Sequence, residues 1–149
     1  MTGRDGVKLS AYWADGMRSL HGIHVHGFPN VFVVGPAQGA NLISNIPHNL
    51  TEAGATIAAI IAHAAEVGAD EVEVTKEAEA VWVAMLDAGG RSFGGDATCT
   101  PGYYNNEGGE ISHAARLGTL GYPDGPVAYF NYIDKWRTSG EFAGLEFTK

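Results

Sequence analysis

The sequence predicts an α/β fold, and three of its features support that prediction. An apolar run at residues 31–34 has the length of a short strand, and a glycine-rich loop at residues 35–41 follows it. A long helical pattern then begins at Asn49, and a second capped pattern begins at Thr75. This order places the loop outside the carboxyl end of a buried strand, which is where α/β sheets bind ligands.

Residues 1–35 are predicted to be extended and to turn several times before the strand. Turn signals occur at three places: Asp5-Gly6, Asp15-Gly16 and Phe28-Pro29-Asn30. A hairpin or a crossover into the strand is the simplest arrangement. The strand itself, VFVV, shows no alternation of apolar and polar residues, which indicates that both of its faces are covered.

Two helices follow the loop, and local signals mark their ends. Asn49 and Glu52 have the spacing of a capping box, so the first helix is predicted to begin at Asn49 and to end at Gly68. The second is predicted to run from its cap, Thr75, to a stop at residues 89–90. The first helix should bury one apolar face, formed by Leu50, Ile57, Ile60, Ile61 and Ala64.

The rest of the chain is rich in glycine. Residues 89–125 are predicted to form ordered loops, anchored by the apolar side chains of Tyr103, Tyr104, Ile111, Leu117 and Leu120. Residues 126–130 are predicted to form a short strand, residues 132–139 a short helix and residues 145–147 a terminal strand. We expect Trp82 and Trp136 in the core. Arg137 should either pair with a carboxylate or phosphate or cap its own helix.

Composition restricts the possible partners. The chain has 149 residues, the size of one domain, and a formal charge of −8 from 17 acidic and 9 basic side chains. No Lys or Arg cluster occurs, so neither nucleic acid nor an anionic membrane is an expected partner. The single cysteine, Cys99, excludes an internal disulfide, fits a cytoplasmic protein and is expected to be buried and inert. The most apolar helical stretch is interrupted by His63 and is too short to span a bilayer.

Three histidines, His21, His24 and His26, lie close together in the sequence. In a strand His24 and His26 share one face, where two imidazoles, with His48 as a candidate third ligand, suit zinc. The favoured interpretation is a pair of histidines on the surface of a strand, because no acidic residue nearby in the sequence could orient the rings. A small metal-dependent enzyme is the minor alternative.

Several short motifs occur in one order along nearly the whole chain. They are TGRDGV at residues 2–7, GFPNVFVVGP at 27–36, TKEAEAVWV at 75–83, CTPGYYNNEG at 99–108 and WRTSG at 136–140. In this order they resemble the last part of the FAD-binding domain of Baeyer-Villiger monooxygenases, the class B flavoprotein monooxygenases. The resemblance implies that residues 1–149 form the carboxyl-terminal portion of a Rossmann-like domain: strand, glycine-rich loop, long helix, second helix and a loop-rich carboxyl-terminal cover.

The resemblance also implies an activity and its cofactors. The complete enzyme would use FAD, NADPH and O2 to insert one oxygen atom beside the carbonyl of a ketone substrate, giving an ester or a lactone. Closely related enzymes oxygenate sulfur or nitrogen instead, and this alternative stays open. In this segment the resemblance implies no catalytic acid, base or nucleophile.

The resemblance assigns binding roles to the loop and to the helix start. The expected cofactor-binding residues are Gly35, Pro36, Ser44, Asn45, Ile46 and Tyr103. The expected substrate-pocket residues are Gln38, Gly39, Ala40, Asn41, Leu42 and Tyr104. Backbone N–H groups at a helix start do attract electron-rich atoms. The alternatives are an ordinary connecting loop and, for the tyrosines, simple anchoring of their own loop.

The sequence contains no G-x-G-x-x-G, the phosphate-binding turn of dinucleotide-binding domains. We therefore expect the chain to be the carboxyl-terminal piece of a longer enzyme, with Met1 an internal methionine. Alone it should bind FAD weakly and should fold poorly or self-associate, because its strand and helix would lack their neighbours. A noncatalytic small subunit that pairs with a separate dinucleotide-binding subunit is the alternative.

Overall fold

A computed structural model describes residues 1–92 and 100–149, except for the side chain of Tyr104. Its regular elements, in chain order, are a 3₁₀ turn at Arg4–Gly6, α1 (Leu9–Tyr12), α2 (Ile46–Val67), β1 (Glu71–Val74), α3 (Lys76–Gly89), β2 (Arg91–Ser92), a 3₁₀ turn at Tyr103–Gly108, α4 (His113–Leu117), β3 (Leu120–Gly121), α5 (Pro126–Ser139) and β4 (Leu145–Thr148). The predictions for Cys99 and for the side chain of Tyr104 fall outside the described residues.

The strands form two short antiparallel ladders. Strand β1 pairs with β4, with Glu71 opposite Thr148, and β2 pairs with β3, with Arg91 opposite Gly121. The terminal strand was predicted, and β4 confirms it. Strand β1 was not predicted, although its sequence EVEV alternates polar and apolar residues and its two valines are buried.

The predicted strand at residues 31–34 is wrong. Phe32 makes one isolated bridge to His24, the Val33 amide donates to the carbonyl of Ile23 at 2.8 Å, and Val34 is 55% exposed. A strand needs a neighbour to pair with, and among residues 1–92 and 100–149 this segment finds one bridge. The expectation that residues 1–35 are extended is also wrong in part, because that region contains the Arg4–Gly6 turn and α1.

Helix α2 begins earlier than the sequence predicted. Its cap is Asn45, whose Oδ1 accepts from the His48 amide at 3.1 Å, and the proline in its first turn needs no amide donor there. Asn49, the predicted cap, lies buried inside the helix. The end at Gly68 is confirmed, since this residue has the left-handed backbone (φ 66°) typical of a helix terminus.

The two long sides of α2 have different surroundings. Ile60 is fully buried, but Leu50 and Ile61 are 41% and 54% exposed, so the predicted apolar face is only partly covered. At 22 residues the helix is long and apolar enough to cross a membrane by length and composition alone, contrary to the sequence-based expectation. A lone helix of this kind is weak evidence for a membrane span, because core helices pass the same test.

The helices α3 and α5 enclose the core. The predicted second helix is confirmed: Thr75 caps α3, with its Oγ1 accepting from the Ala78 amide at 3.1 Å. The strand predicted at residues 126–130 is wrong, because Pro126 opens a single helix there, the position where proline fits best. Tyr129, Ile133 and Trp136 form the buried stripe of that helix.

The core cluster joins both ends of the chain. Trp82 and Trp136 are 4% and 8% exposed, which confirms them as core residues. Leu117 and Leu120 are buried and anchor the glycine-rich region as expected. Tyr103 is 87% exposed and Ile111 37% exposed, so the expectation that they are buried anchors is wrong.

Candidate functional site

The loop between Val34 and the start of α2 is bound to a segment near the carboxyl end of the chain. The Gln38 amide donates to the Leu120 carbonyl at 2.8 Å, and the Tyr122 amide donates to the Gly39 carbonyl at 2.9 Å. We call residues 35–44 the site loop and residues 117–122 the anchoring segment. This pairing fixes one edge of the site loop before α2 begins.

Gln38 is fully buried, and several chain segments surround it. Its Oε1 accepts from the Ser19 hydroxyl at 2.6 Å, and its Nε2 donates to the carbonyls of Met17 (2.7 Å) and Leu117 (3.1 Å). Its own carbonyl accepts from the Trp82 indole at 3.0 Å. The polar atoms of this side chain are therefore used within the protein.

Asn41 has a similar set of contacts. It is 3% exposed, and its Nδ2 donates to the carbonyls of Arg91 (3.0 Å) and Thr119 (2.9 Å). Its Oδ1 accepts from the Leu42 amide at 2.7 Å, and its carbonyl accepts from Asn49 Nδ2 at 3.1 Å. Asn41 thus links the site loop to β2, to the anchoring segment and to the second turn of α2.

The site loop has an inner part and an outer part. Gln38, Gly39, Ala40 and Asn41 are buried against the rest of the chain, whereas Leu42, Ile43 and Asn45 are exposed. Four further expected site residues are partly buried: Gly35, Pro36, Ser44 and Ile46. The structure brings the loop residues together at the start of α2. Their assignment to cofactor and substrate stays a prediction.

The tyrosine pair belongs to a separate turn. Tyr103 lies in the 3₁₀ turn Tyr103–Gly108, where Asn106 and Glu107 adopt left-handed backbones (φ 52° and 54°). Asn106 Nδ2 donates to the Glu110 carbonyl at 2.9 Å and so stabilises this turn. Such backbones in residues other than glycine are uncommon. The ring of Tyr103 is largely exposed, and its role as a cofactor contact stays a prediction.

The histidine pair predicted on a strand surface, His24 and His26, is divided in the structure. His24 is 3% exposed, which corrects the expectation of a surface ring, whereas the side chain of His26 is 34% exposed. His21 is also buried, at 1% exposed. The His21 ring lies 4.7 Å from the rings of both Trp82 and Trp136, and its Nε2 is 3.1 Å from the Tyr132 hydroxyl. The neighbouring apolar residues explain this placement, because Leu20, Ile23 and Val25 are buried and carry this part of the chain into the core.

Burial changes the protonation of these two rings. It lowers the pKa of His24 to about 3 and holds the pKa of His21 well below the usual value, because an imidazolium ion loses its hydration there. Within the described residues, no group hydrogen-bonds His21 Nδ1 or His24 Nε2. In the same part of the chain, no three His, Cys, Asp or Glu side chains converge to hold a metal ion. The metal-dependent alternative therefore finds no site there.

Two charged residues hold the elements around the site together. Glu79 is 1% exposed and accepts from the Tyr12 hydroxyl at 2.5 Å and from the His26 amide at 3.0 Å. Its buried role was not predicted from the sequence, although Glu79 shares a helical face with Trp82. Arg137 pairs with Glu52 of α2 at 3.1 Å, which confirms the carboxylate alternative for this residue.

Comparisons with known proteins show which sequences and structures this chain is similar to. No protein-family model matches the chain. The FAD-binding monooxygenase hmp7 of Hypomyces subiculosus is 40% identical over 149 residues, which cover 99% of this chain and 24% of that protein. Baeyer-Villiger monooxygenase 4 of Dietzia sp. (strain D5) is 35% identical over 148 residues, which cover 97% of this chain and 23% of that protein.

Solved structures agree with the sequence comparison. The polycyclic ketone monooxygenase from the thermophilic fungus Thermothelomyces thermophila matches with a TM-score of 0.80 and 28% identity, covering 99% of this chain and 24% of that one. Nearly the whole chain is thus similar to one segment of FAD-binding and Baeyer-Villiger monooxygenases. It spans about a quarter of the length of the relatives it matches. The resemblance seen in the ordered motifs is thereby confirmed, together with a mixed helix and strand architecture shared with Baeyer-Villiger monooxygenases.

Proposed function

We propose that the chain is the carboxyl-terminal part of an FAD- and NADPH-dependent monooxygenase that inserts oxygen beside a ketone carbonyl and releases an ester or a lactone. The observation that carries the proposal is identity of 35–40% along nearly the whole chain with monooxygenases named as FAD-binding or Baeyer-Villiger enzymes. The finer assignment to the last portion of a Rossmann-like FAD-binding domain belongs to the same proposal.

The start of α2 fits one part of FAD. Helix α2 has 22 residues, and its first turn offers backbone N–H groups and a positive dipole end, which favour the electron-rich edge of an isoalloxazine ring. Ser44, Asn45 and Ile46 lie at this end. The pyrophosphate has no corresponding turn in these 149 residues, because no G-x-G-x-x-G occurs. The segment thus fits the ring, and other parts of the enzyme would hold the rest.

The chemistry of oxygen transfer would come from the cofactor. Bound FAD would supply the redox chemistry toward NADPH and O2, and Ser44, Asn45 and Ile46 at the start of α2 would hold its ring. The site loop contributes amide, hydroxyl and aliphatic side chains, which do not titrate near neutral pH. Its role is therefore to bind and orient, with exposed Leu42 and Ile43 as the apolar surface that excludes water.

The exposed side of α2 supports the view that more protein covers this segment. A groove of about 370 Å³ beside the helix is lined mainly by apolar side chains, among them Phe32, Ile61 and Val72. A helix that is apolar on both sides is typical of a protein interior. We propose that the remainder of the enzyme covers this side, and that the isolated chain self-associates through it.

The test is to express the reading frame extended upstream of the Met1 codon and to assay the purified protein. We expect bound FAD, NADPH oxidation that depends on a ketone, and an ester or lactone that contains one atom from ¹⁸O2. Oxygenation of sulfides or amines alone would favour the alternative chemistry. A stop codon directly upstream, with co-purification of a separate flavoprotein, would replace the proposal by the small-subunit hypothesis.

The isolated 149-residue chain provides the control. Because it lacks the dinucleotide turn, we expect it to bind FAD more weakly than a Kd of about 1 μM in a flavin fluorescence titration. Tighter binding would contradict the division of the cofactor site between this segment and the rest of the enzyme.

A further inference from the structure

The site loop and the anchoring segment are joined by more than their backbone pairs. Two backbone hydrogen bonds connect them, from the Gln38 amide to Leu120 and from the Tyr122 amide to Gly39. Side-chain amides add two more, from Gln38 to the Leu117 carbonyl and from Asn41 to the Thr119 carbonyl. The two segments are far apart in the sequence, so the loop cannot take this shape from local signals alone.

Gln38 and Asn41 stabilise an unusual loop conformation. Both have left-handed backbones, with φ of 57° and 65°, which residues other than glycine seldom adopt without support. Both side chains are buried and use their polar atoms on neighbouring segments. Leu42 and Ile43, which follow directly, are the exposed apolar residues of the loop. The position of these two residues therefore depends on the bonds made by Gln38 and Asn41.

We propose that Gln38 and Asn41 are positioning residues that couple the site loop to the anchoring segment and thereby set the position of Leu42 and Ile43 against the substrate. The coupling itself is a property of this chain. Its consequence for substrate preference rests on the proposed function. The proposal differs from the resemblance-based expectation, in which the side chains of Gln38 and Asn41 contact the substrate themselves.

A substitution at Gly121, in the anchoring segment, can displace Asn41 without changing Asn41 itself. A Cβ atom at Gly121 would lie 2.5 Å from the Cβ and 3.0 Å from the Nδ2 of Asn41, so Gly121→Ala must displace that side chain. Gly118 is a matched control in the same segment. A Cβ atom there would meet the Ala115 carbonyl at 3.5 Å, an ordinary contact, and its backbone is helical.

The coupling is tested by hydrogen–deuterium exchange of the extended enzyme, read by mass spectrometry on peptides that cover residues 35–44. We expect Gly121→Ala and Asn41→Asp to speed exchange of the protected loop amides about tenfold, because each weakens the bonds between loop and anchoring segment. Gly118→Ala should exchange like the wild type. Asn41→Asp keeps the side-chain shape and the tolerance for a left-handed backbone, and circular dichroism checks that each variant is folded.

Two results would overturn the coupling. One is unchanged loop exchange in folded Gly121→Ala or folded Asn41→Asp protein. The other is equally fast exchange in Gly118→Ala, which would mean that any added methyl group loosens the loop. If Gly121→Ala does not fold, Asn41→Asp decides the question. This measurement needs no cofactor and no turnover, so its outcome is independent of whether the enzyme oxygenates ketones.

The consequence for substrates is tested in the extended enzyme with one small and one bulky ketone. We expect Gly121→Ala to change the ratio of the two KM values about tenfold, because it displaces the loop. The kcat value for the better substrate should change less than about twofold, because the reacting groups stay in place. Gly118→Ala should keep the wild-type ratio. A changed ratio in Asn41→Asp together with an unchanged ratio in Gly121→Ala would show direct contact and would refute positioning. Absence of any ketone oxygenation would refute the proposed function and leave the exchange result standing.

Discussion

The two buried histidines make the stability of the chain depend on pH. Below the ordinary histidine pKa of 6.5 the unfolded chain binds two protons that the folded chain does not, because burial lowers the pKa of both His21 and His24, the latter to about 3. The stabilisation by the neutral rings is fully present above pH 6.5. It is lost as the pH falls from 6.5 toward the folded-state pKa values. Acidification should therefore destabilise the fold well before most carboxylates are protonated.

The size of the effect follows from proton linkage. Below pH 6.5 the linkage slope is about 1.4 kcal/mol per pH unit for each such group, and pH 5.5 lies one unit below 6.5. Lowering the pH from 7.5 to 5.5 should therefore cost about 1.4 kcal/mol for His24. His21 adds to this loss, because burial also lowers its pKa. Urea unfolding, followed by the fluorescence of buried Trp82 and Trp136, measures this difference.

A variant isolates one ring from the other titrating groups. His24→Leu places an apolar side chain of similar volume beside Phe32 and Trp136 and removes one of the two buried bases. The loss of stability between pH 7.5 and pH 5.5 should then be about 1.4 kcal/mol smaller than in the wild type. An equal loss in both proteins, or a wild type that is more stable at pH 5.5 than at pH 7.5, would refute the reasoning.

Three further predictions concern single contacts, each measured by urea unfolding at pH 7.5. Glu79→Ala removes a buried carboxylate that accepts from Tyr12 and from the His26 amide, and it should lower the free energy of unfolding by about 3 kcal/mol. Tyr12→Phe removes one donor to that carboxylate and should cost about 1 kcal/mol. Equal costs would contradict a central role for the carboxylate. Asn45→Ala removes the cap of α2 and should cost about 1 kcal/mol, and Asn45→Ser should restore most of it. Gly39→Val brings a Cβ atom to 3.0 Å from the Tyr129 ring and should cost about 2 kcal/mol by overpacking; an unchanged stability would mean that Tyr129 moves freely.

Local signals predicted the parts of the fold that depend on neighbours in the sequence. The predicted cap at Thr75 and the predicted end of α2 at Gly68 are confirmed, and each is specified within a few residues. The start of α2 was misplaced because two asparagines, Asn45 and Asn49, both have side chains that can cap a helix. The choice between them depends on Asn41, whose carbonyl accepts from Asn49 inside the protein.

The strand errors have a different cause. Residues 31–34 and 126–130 are both apolar, and apolar runs of that length fit a strand or a buried helix turn equally well. At residues 126–130 the proline at the first position of α5 decided for a helix, and the sequence contains that signal. At residues 31–34 only pairing with a distant segment could decide, and the local sequence carries no information about such a partner.

Residue type alone could not predict the hydrogen-bond partners of the amides in the site loop. An amide in a glycine-rich loop suits a ligand and suits the carbonyl groups of a distant segment equally well, because both offer a hydrogen-bond acceptor. The sequence could therefore single out Gln38 and Asn41 but could not tell which acceptors they would meet. Their burial and their bonds to Leu117 and Thr119 direct them inward. A ligand at this loop must then be met by the residues that remain exposed, Leu42, Ile43 and Asn45, and by the backbone at the start of α2.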